Sequence, residues 1–295
     1  MNVFTIKDLE NLSGIKAHTI RIWEQRYSFL KPCRTESNIR YYCSEELKRV
    51  LHISLLNKYG YKISQIDKMS EQELKNKLFS LSDAEARQEK LVNELIAHMI
   101  DLDIVSFERA LDGYVLSHGI DRAISRIIFP FLDRIGVLWL TNHIHSAQEH
   151  LVSNIIRQKL VVGIEQAVPF RQATRTSRTL LLFLPEGEHH ELGLLYVHYL
   201  LRTHGATVLY LGANMPLKDV EFVSKHKSPD YLYTHLTCIT GNFNFEKFLS
   251  QVNQCIPDVP LVISGQLART HLRKIPSGIN FKRSLPEVLE FVTTL

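Results

Sequence analysis

Cysteine is scarce and badly spaced for joint chemistry. Cys33, Cys43, Cys238 and Cys255 are the whole supply, and no two form a C-x-x-C pair. Neither a disulfide framework nor a zinc site is indicated, and a reducing cytoplasm is the expected compartment. Long apolar runs are missing too: none approaches the roughly 20 residues of a bilayer span. The N-terminus, with Asp8 and Glu10 close behind Lys7, lacks the basic-then-apolar order of a signal peptide. Helix breakers are thin in the middle: from Asp83 to Val168 only Gly113, Gly119, Gly136, Gly163 and a single proline, Pro130, interrupt the chain.

What remains is a chain of 295 residues, 45% apolar, with room for two or three domains with real cores. Its net charge of +4 is unevenly placed: residues 1–62 hold eleven Lys/Arg against six Asp/Glu, and the rest is slightly acidic. Such asymmetry points one end toward a polyanion; an ordinary solvated surface is the competing reading.

The basic end has helical punctuation. Ile6, Leu9 and Leu12 recur at threes behind Thr5, a predicted N-cap, and Ser13-Gly14 breaks the pattern. A second helix is predicted from about Lys16 to Tyr27, with Ile20 and Trp23 inward and His18, Thr19, Arg21 and Gln25 outward. This is a helix-turn-helix pattern whose polar face suits a major groove. Leu30 to Tyr42 places Arg34 and Arg40 beside Tyr41-Tyr42 in a hairpin-like wing suited to phosphates. Ser44 is the expected cap of a further helix to Gly60, and Ile63-Ile66 begins another.

Thr19-Ile20-Arg21-Ile22-Trp23-Glu24-Gln25-Arg26-Tyr27, Leu30-Lys31-Pro32, Arg34-Thr35 and Arg40-Tyr41-Tyr42 resemble the DNA-binding domain of MerR-type transcription regulators over residues 1–70. The resemblance implies double-stranded operator DNA as partner. The expected contact set is Lys16, His18, Thr19, Arg21, Arg26, Arg34, Arg40 and Tyr41, with His18 and Arg21 in or beside the groove and the wing residues on the backbone. Trp23 reads as core. Cys33 lacks a partner at the end of a dimerisation helix, which speaks against metal sensing.

Residues 71–82 read as a connecting helix or linker. Four helical blocks follow within 83–170: Glu85–Ile100, Ile104–Ser117, Arg122–Trp139 and His143–Ala167, a four-helix bundle. Trp139, nine residues, then Glu149-His150 is similar to the signature of the bundle in cobalamin-dependent MerR-type photoreceptor regulators of the CarH/LitR group. The resemblance implies that Trp139, Glu149 and His150 cover the upper face of a cobalamin. Those regulators carry a histidine directly after the tryptophan as a light-state cobalt ligand. This chain has Leu140, which leaves His143 or His145 as substitutes, or as an isolated His-x-His metal site.

From 176 to 295, Leu180–Leu184, Thr207–Leu211, Tyr231–Leu236 and Leu261–Ser264 are short apolar runs, each followed by a helix-like block. The alternation predicts a Rossmann-like, doubly wound parallel sheet. Glu188-His189-His190-Glu191-Leu192-Gly193 lies where the first strand turns into helix, the edge at which such sheets bind ligands. The E-x-H-x-x-G order resembles the cobalamin-binding domain of methionine synthase, corrinoid proteins and certain mutases, with Glu188 in place of their Asp, as in the regulator group. By that resemblance His190 is the lower cobalt ligand, Glu188 orients it and Gly193 admits the ligand. The Ser-x-Leu and Gly-Gly that house the nucleotide tail are replaced by His235-Leu236-Thr237 and Ser264-Gly265.

The expected protein is thus a multidomain α and α/β, non-enzymatic, cytoplasmic repressor with adenosylcobalamin, or another cobalamin form, as cofactor. It would clamp the cofactor between the bundle and the Rossmann-like domain and work as a homo-oligomer, dimer or tetramer, away from membranes. Two readings compete. One is a corrinoid methyl-transfer protein, which the DNA-binding head and the lack of a substrate-activating barrel oppose. The other is a MerR-type regulator that has lost cobalamin and acts through protein contacts.

Overall fold

The computed structural model describes residues 3–140, 144–167, 178–237, 243–270 and 277–295, with backbone alone for 137–140. The chain divides into two compact units, Met1–Ile156 and Arg157–Leu295.

The first unit opens with α1 (Ile6–Ser13), α2 (Ala17–Arg26), the strands β1 (Cys33–Arg34) and β2 (Arg40–Tyr41), α3 (Ser44–Lys58), α4 (Ile63–Ile66) and α5 (Glu71–Phe79). Thr5 caps α1 in a reciprocal box: its hydroxyl accepts from the Asp8 N–H, and the Asp8 carboxylate accepts from the Thr5 N–H at 2.6 Å. Gly14 ends the helix with φ 73°, a left-handed conformation that costs glycine little. The wing is an antiparallel pair, Cys33 opposite Tyr41 and Arg34 opposite Arg40. Ser44, the expected cap of α3, is instead its first helical residue. The boundary lies at Cys43, whose N–H is taken by Glu46 Oε2 at 3.1 Å. This is the returning half of a capping box, in which the third helical residue accepts from the cap residue's own N–H.

The bundle follows as α6 (Ala84–Asp101), α7 (Ile104–His118), α8 (Ile120–Ala123), a π-helical turn at Ile124–Ile128, α9 (Phe129–Leu140) and α10 (Ser146–Gln166). Asp83 caps α6 by accepting from Glu85 and Ala86 N–H. The π turn falls immediately before Pro130, whose missing N–H and ring disfavour a regular i to i−4 ladder. Within this unit the head is fastened to the bundle. Buried Asn93 on α6 donates to the Leu51 carbonyl on α3 at 3.3 Å and accepts from Arg134 on α9 at 2.5 Å. Lys48 reaches Asp101 at 2.5 Å, and Lys58 pairs with Glu89.

The second unit contains β3 (Thr179–Pro185), α11 (Leu192–Thr203), β4 (Thr207–Met215), α12 (Leu217–Lys227), β5 (Tyr231–His235), α13 (Phe245–Cys255), β6 (Leu261–Ser264), α14 (Gln266–Thr270), β7 (Ile279–Lys282) and α15 (Leu285–Thr293). The sheet is parallel throughout, in the order β4-β3-β5-β6-β7. The chain leaves β3 toward one side for β4 and returns on the other for β5, so the topological switch lies between β3 and β5. Leu181, Phe183, Leu232 and Ile263 belong to a core on one face of the sheet. On the other face Tyr233 packs on Phe291 of α15. The fold is therefore multidomain α and α/β, as the periodicities predict.

Candidate functional site

In the head, helix periodicity sorts the side chains by face. Ile20 is fully buried and Trp23 is 5% exposed. Lys16, His18, Arg21 and Arg26 are exposed and Thr19 is half-buried, leaving a polar, cationic surface along α2 and its cap, with side chains of the kinds that read base edges. Arg34 is exposed on β1, its guanidinium donating to the Asn38 side chain at 2.7 Å and to the Asn38 carbonyl. Half-buried Arg40 has a further duty: its Nε lies 3.2 Å from Glu24 Oε2, and Tyr42 Oη donates to the same carboxylate. Arg40 therefore ties the wing to α2, and its half-buried neighbour Tyr41 extends the wing surface.

In the second unit, the loop after β3 carries a fully buried carboxylate, Glu188. Its Oε1 accepts from the His190 backbone N–H at 2.9 Å and lies 2.6 Å from His190 Nδ1. Its Oε2 accepts from the Thr237 N–H, after β5, at 3.1 Å. Burial alone would push the Glu188 carboxyl up; the hydrogen bonds from His190 and Thr237 outweigh it and hold the group below the ordinary glutamate range. A carboxylate on Nδ1 places the ring proton there and makes Nε2 the lone-pair nitrogen, the arrangement that supporting carboxylates give metal-bound histidines. The His190 side chain is 45% exposed, so the ring is held at one end and accessible.

The same edge holds the remaining predicted residues. Ser264 is buried at the end of β6; its hydroxyl meets Tyr233 Oη and His235 Nδ1, each at 2.8 Å. Gly265 has φ 94°, and a Cβ there would stand 2.4 Å from the Leu236 carbonyl oxygen. Glycine is required at this position by the chain itself. Thr237 contributes through its backbone N–H. Gly193, in the first turn of α11, leaves room that is already taken: a Cβ would lie 2.2 Å from His235 Cδ2 and 2.3 Å from its Nε2. Burial pushes the His235 imidazole down to about 4, so at neutral pH it is an uncharged ring. The residues present thus fit a corrinoid through the His190 pair, while the crevice beside them is filled by a side chain.

In the first unit, Glu149 closes the first turn of α10 and His150 opens the next. Ser153 donates to Glu149 at 2.7 Å, and His150 is 74% exposed with Nδ1 3.5 Å from Glu149. The side chains of Trp139 and Leu140, and all of His143, lie outside the described residues. Gln148 escaped the sequence reading: buried, it donates to the Met99 and Ile100 carbonyls and accepts from His145 N–H, anchoring the start of α10 to α6. Its signal was a polar residue at an apolar phase of the helix. Among the described residues no cluster of three or more His, Cys, Asp or Glu is placed to hold a bare metal ion, and no helix is long and apolar enough to cross a membrane.

These features define a class, a helix-turn-helix regulator joined to a corrinoid-type module, and comparison with known proteins gives the same class. Residues 4–73 match the MerR HTH family of regulatory proteins and residues 91–162 match a B12 binding domain. The chain thus carries a MerR-type helix-turn-helix domain and a B12 binding domain, the composition of a non-enzymatic DNA-binding regulator with a cobalamin-type cofactor. It is homologous to two repressors of Myxococcus xanthus. With the HTH-type transcriptional repressor CarH it shares 27% identity, covering 91% of this chain and 90% of that one. With the HTH-type transcriptional repressor CarA it shares 28%, covering 96% and 94%. The fold also resembles the monomethylamine corrinoid protein of Methanosarcina barkeri, with TM-score 0.55 and 13% identity, covering 70% of this chain and 99% of that one.

Proposed function

We propose that the protein is an operator-binding repressor that holds adenosylcobalamin, with His190 as the residue that would ligate its cobalt. The observation that carries this reading is the buried Glu188 carboxylate on His190 Nδ1, at 2.6 Å. A carboxylate on Nδ1 is the usual support of a metal-bound histidine, and burying that anion is costly unless its bonds are used. Bound adenosylcobalamin would supply a cobalt–carbon bond whose integrity reports light or cofactor state. The chain's part is to hold and orient: Glu188 keeps the His190 proton on Nδ1, and Thr237 fixes Glu188 from the far side of the switch. Trp139, Glu149 and His150 are the proposed upper-face residues. His18, Thr19 and Arg21 read base edges, while Lys16, Arg26, Arg34, Arg40 and Tyr41 grip phosphates. Cofactor state controls self-association to a dimer or tetramer, and so operator occupancy, in the cytoplasm.

The test is to purify the chain in the dark with adenosylcobalamin and record the absorption spectrum, oligomer size and operator binding before and after green light. The expected result is a retained corrinoid whose illumination changes oligomer size and weakens operator binding. A retained corrinoid without a change in size would replace the light switch with a cofactor sensor. No retained corrinoid would sink the proposal in favour of a regulator acting through protein contacts.

A further inference from the structure

The crevice at the topological switch is closed from within. It runs between the first turn of α11 and the ends of β5 and β6, where open α/β sheets receive ligands. Gly193 removes the one side chain that α11 would place there. Instead of a void, the imidazole of His235 fills the gap and lies within 2.8 Å of the position a Gly193 Cβ would take. Its Nδ1 is held by the Ser264 hydroxyl, which Tyr233 Oη meets in turn, so the ring has a partner that keeps it across the opening.

The consequence for a ligand follows from chemistry and rests on the cobalamin reading above. A cobalamin carries its nucleotide on a chain hanging from the lower face of the corrin. When a protein histidine takes the lower cobalt position, that nucleotide is displaced and must run down past the ligand. Thr237 and His190 are bonded to opposite oxygens of Glu188, so the route past the ligand lies beside the end of β5, where His235 stands.

We propose that His235 is a specificity-determining plug: it denies the crevice to the nucleotide, and the chain selects corrinoids by ring and upper ligand rather than by tail. A corrinoid without a nucleotide should then bind at least as well as a complete one. The wild-type chain is titrated with cobinamide, which lacks the nucleotide, and with cobalamin, following the corrin absorption bands and the heat of binding. The same titrations are run on His235→Ser, which opens the crevice, and on His235→Phe, which fills it without a bond to Ser264. Thermal unfolding of each apoprotein checks folding.

The expected result is that the wild type binds cobinamide at least as tightly as cobalamin, since an excluded tail adds no buried contact and displacing its base from cobalt costs free energy. His235→Ser should gain roughly 10- to 100-fold for cobalamin alone, the equivalent of one or two factors of ten on freeing a buried, hydrogen-bonded obstruction. His235→Phe should behave as wild type. A wild type that prefers cobalamin by roughly tenfold or more, or a His235→Ser chain without a gain specific to cobalamin, overturns the plug. If the wild type binds neither corrinoid, the cobalamin reading fails. The plug then stands only if His235→Ser acquires cobalamin binding, and falls with it otherwise.

Discussion

Replacing Glu188 by Gln removes a charge without changing the shape of a fully buried side chain. In the parent, three N–H groups among the described residues converge on its two oxygens: the His190 backbone, the His190 ring and the Thr237 backbone, at 2.9, 2.6 and 3.1 Å. An amide offers one acceptor oxygen and one NH2. Whichever way it turns, its NH2 faces at least one buried N–H, so a charged bond becomes a donor facing a donor. Hydrogen bonds to charged groups contribute about 1.5–3 kcal/mol each, and an unsatisfied buried donor costs about 1–3 kcal/mol. Relief of carboxylate burial offsets part of this, leaving a net loss of about 2–4 kcal/mol in the second unit. For a unit of this size that corresponds to a fall in Tm of roughly 6–14 °C. Differential scanning calorimetry of the apoprotein, which resolves the transition of the second unit, is the assay. The same variant should retain corrinoid roughly 10- to 100-fold more weakly, as expected when a metal-bound histidine loses its orienting carboxylate. A Glu188→Gln chain that melts within about 0.5 kcal/mol of the parent, the scatter of ordinary surface changes, would refute the claim that this carboxylate organises the edge.

Arg21→Ala should lower operator affinity by about 1–3 kcal/mol and relax discrimination at one base position, whereas Arg34→Ala should weaken all sequences alike and reduce the salt slope by about one; fluorescence anisotropy across a salt series separates the two. Asn93→Ala takes the side-chain acceptor from half-buried Arg134 and leaves the Leu51 carbonyl to the Ser54 hydroxyl, and should cost the first unit about 1–3 kcal/mol, read from denaturant unfolding; a loss below about 0.5 kcal/mol would show that this link is idle. His235 titrates near 4 in the fold because burial disfavours its cation, below the roughly 6.5 of an unfolded histidine. Its contribution is therefore fully present above about pH 6.5 and is lost as pH falls toward about 4, by up to about 3 kcal/mol. Unfolding of wild type and His235→Phe between neutral and acidic pH should give a shallower pH dependence for the variant, and parallel curves would contradict that.

Local rules carried much of the fold because the residues that obey them are near neighbours. The Thr5 to Asp8 box, the Gly14 stop, the inward Ile20 and Trp23 and the four bundle blocks each depend on spacings of three or four. The four main parallel strands stand where apolar runs predict them, but β7 went unread: in Ile279–Lys282 two of the four residues are polar, so unlike the equally short β6 it makes no apolar run. Cys43 displaced Ser44 as the boundary of α3 because Glu46, three residues on, reaches back to the Cys43 N–H, a bond that does not depend on which small residue stands at the edge. The site divided along similar lines. Glu188 and His190 are two residues apart, so their pairing is legible as a motif. The bulk of His235 was legible too, but its seat against Gly193 is set by strand order and the β3–β5 register, which bring together residues far apart in the chain. Arg40 shows the reverse limit: a wing cation reads as a phosphate contact, and its pairing with Glu24 appears only once the wing folds over α2.

The central claim is that His190 is the cobalt ligand. Electron paramagnetic resonance of the chain loaded with cob(II)alamin tests it most directly when histidine alone carries nitrogen-15. The account predicts that axial nitrogen splitting changes from a triplet to a doublet on labelling, and that His190→Ala abolishes the change. A triplet unaffected by labelling would mean that the cofactor keeps its own base on cobalt, and would contradict the role assigned to His190.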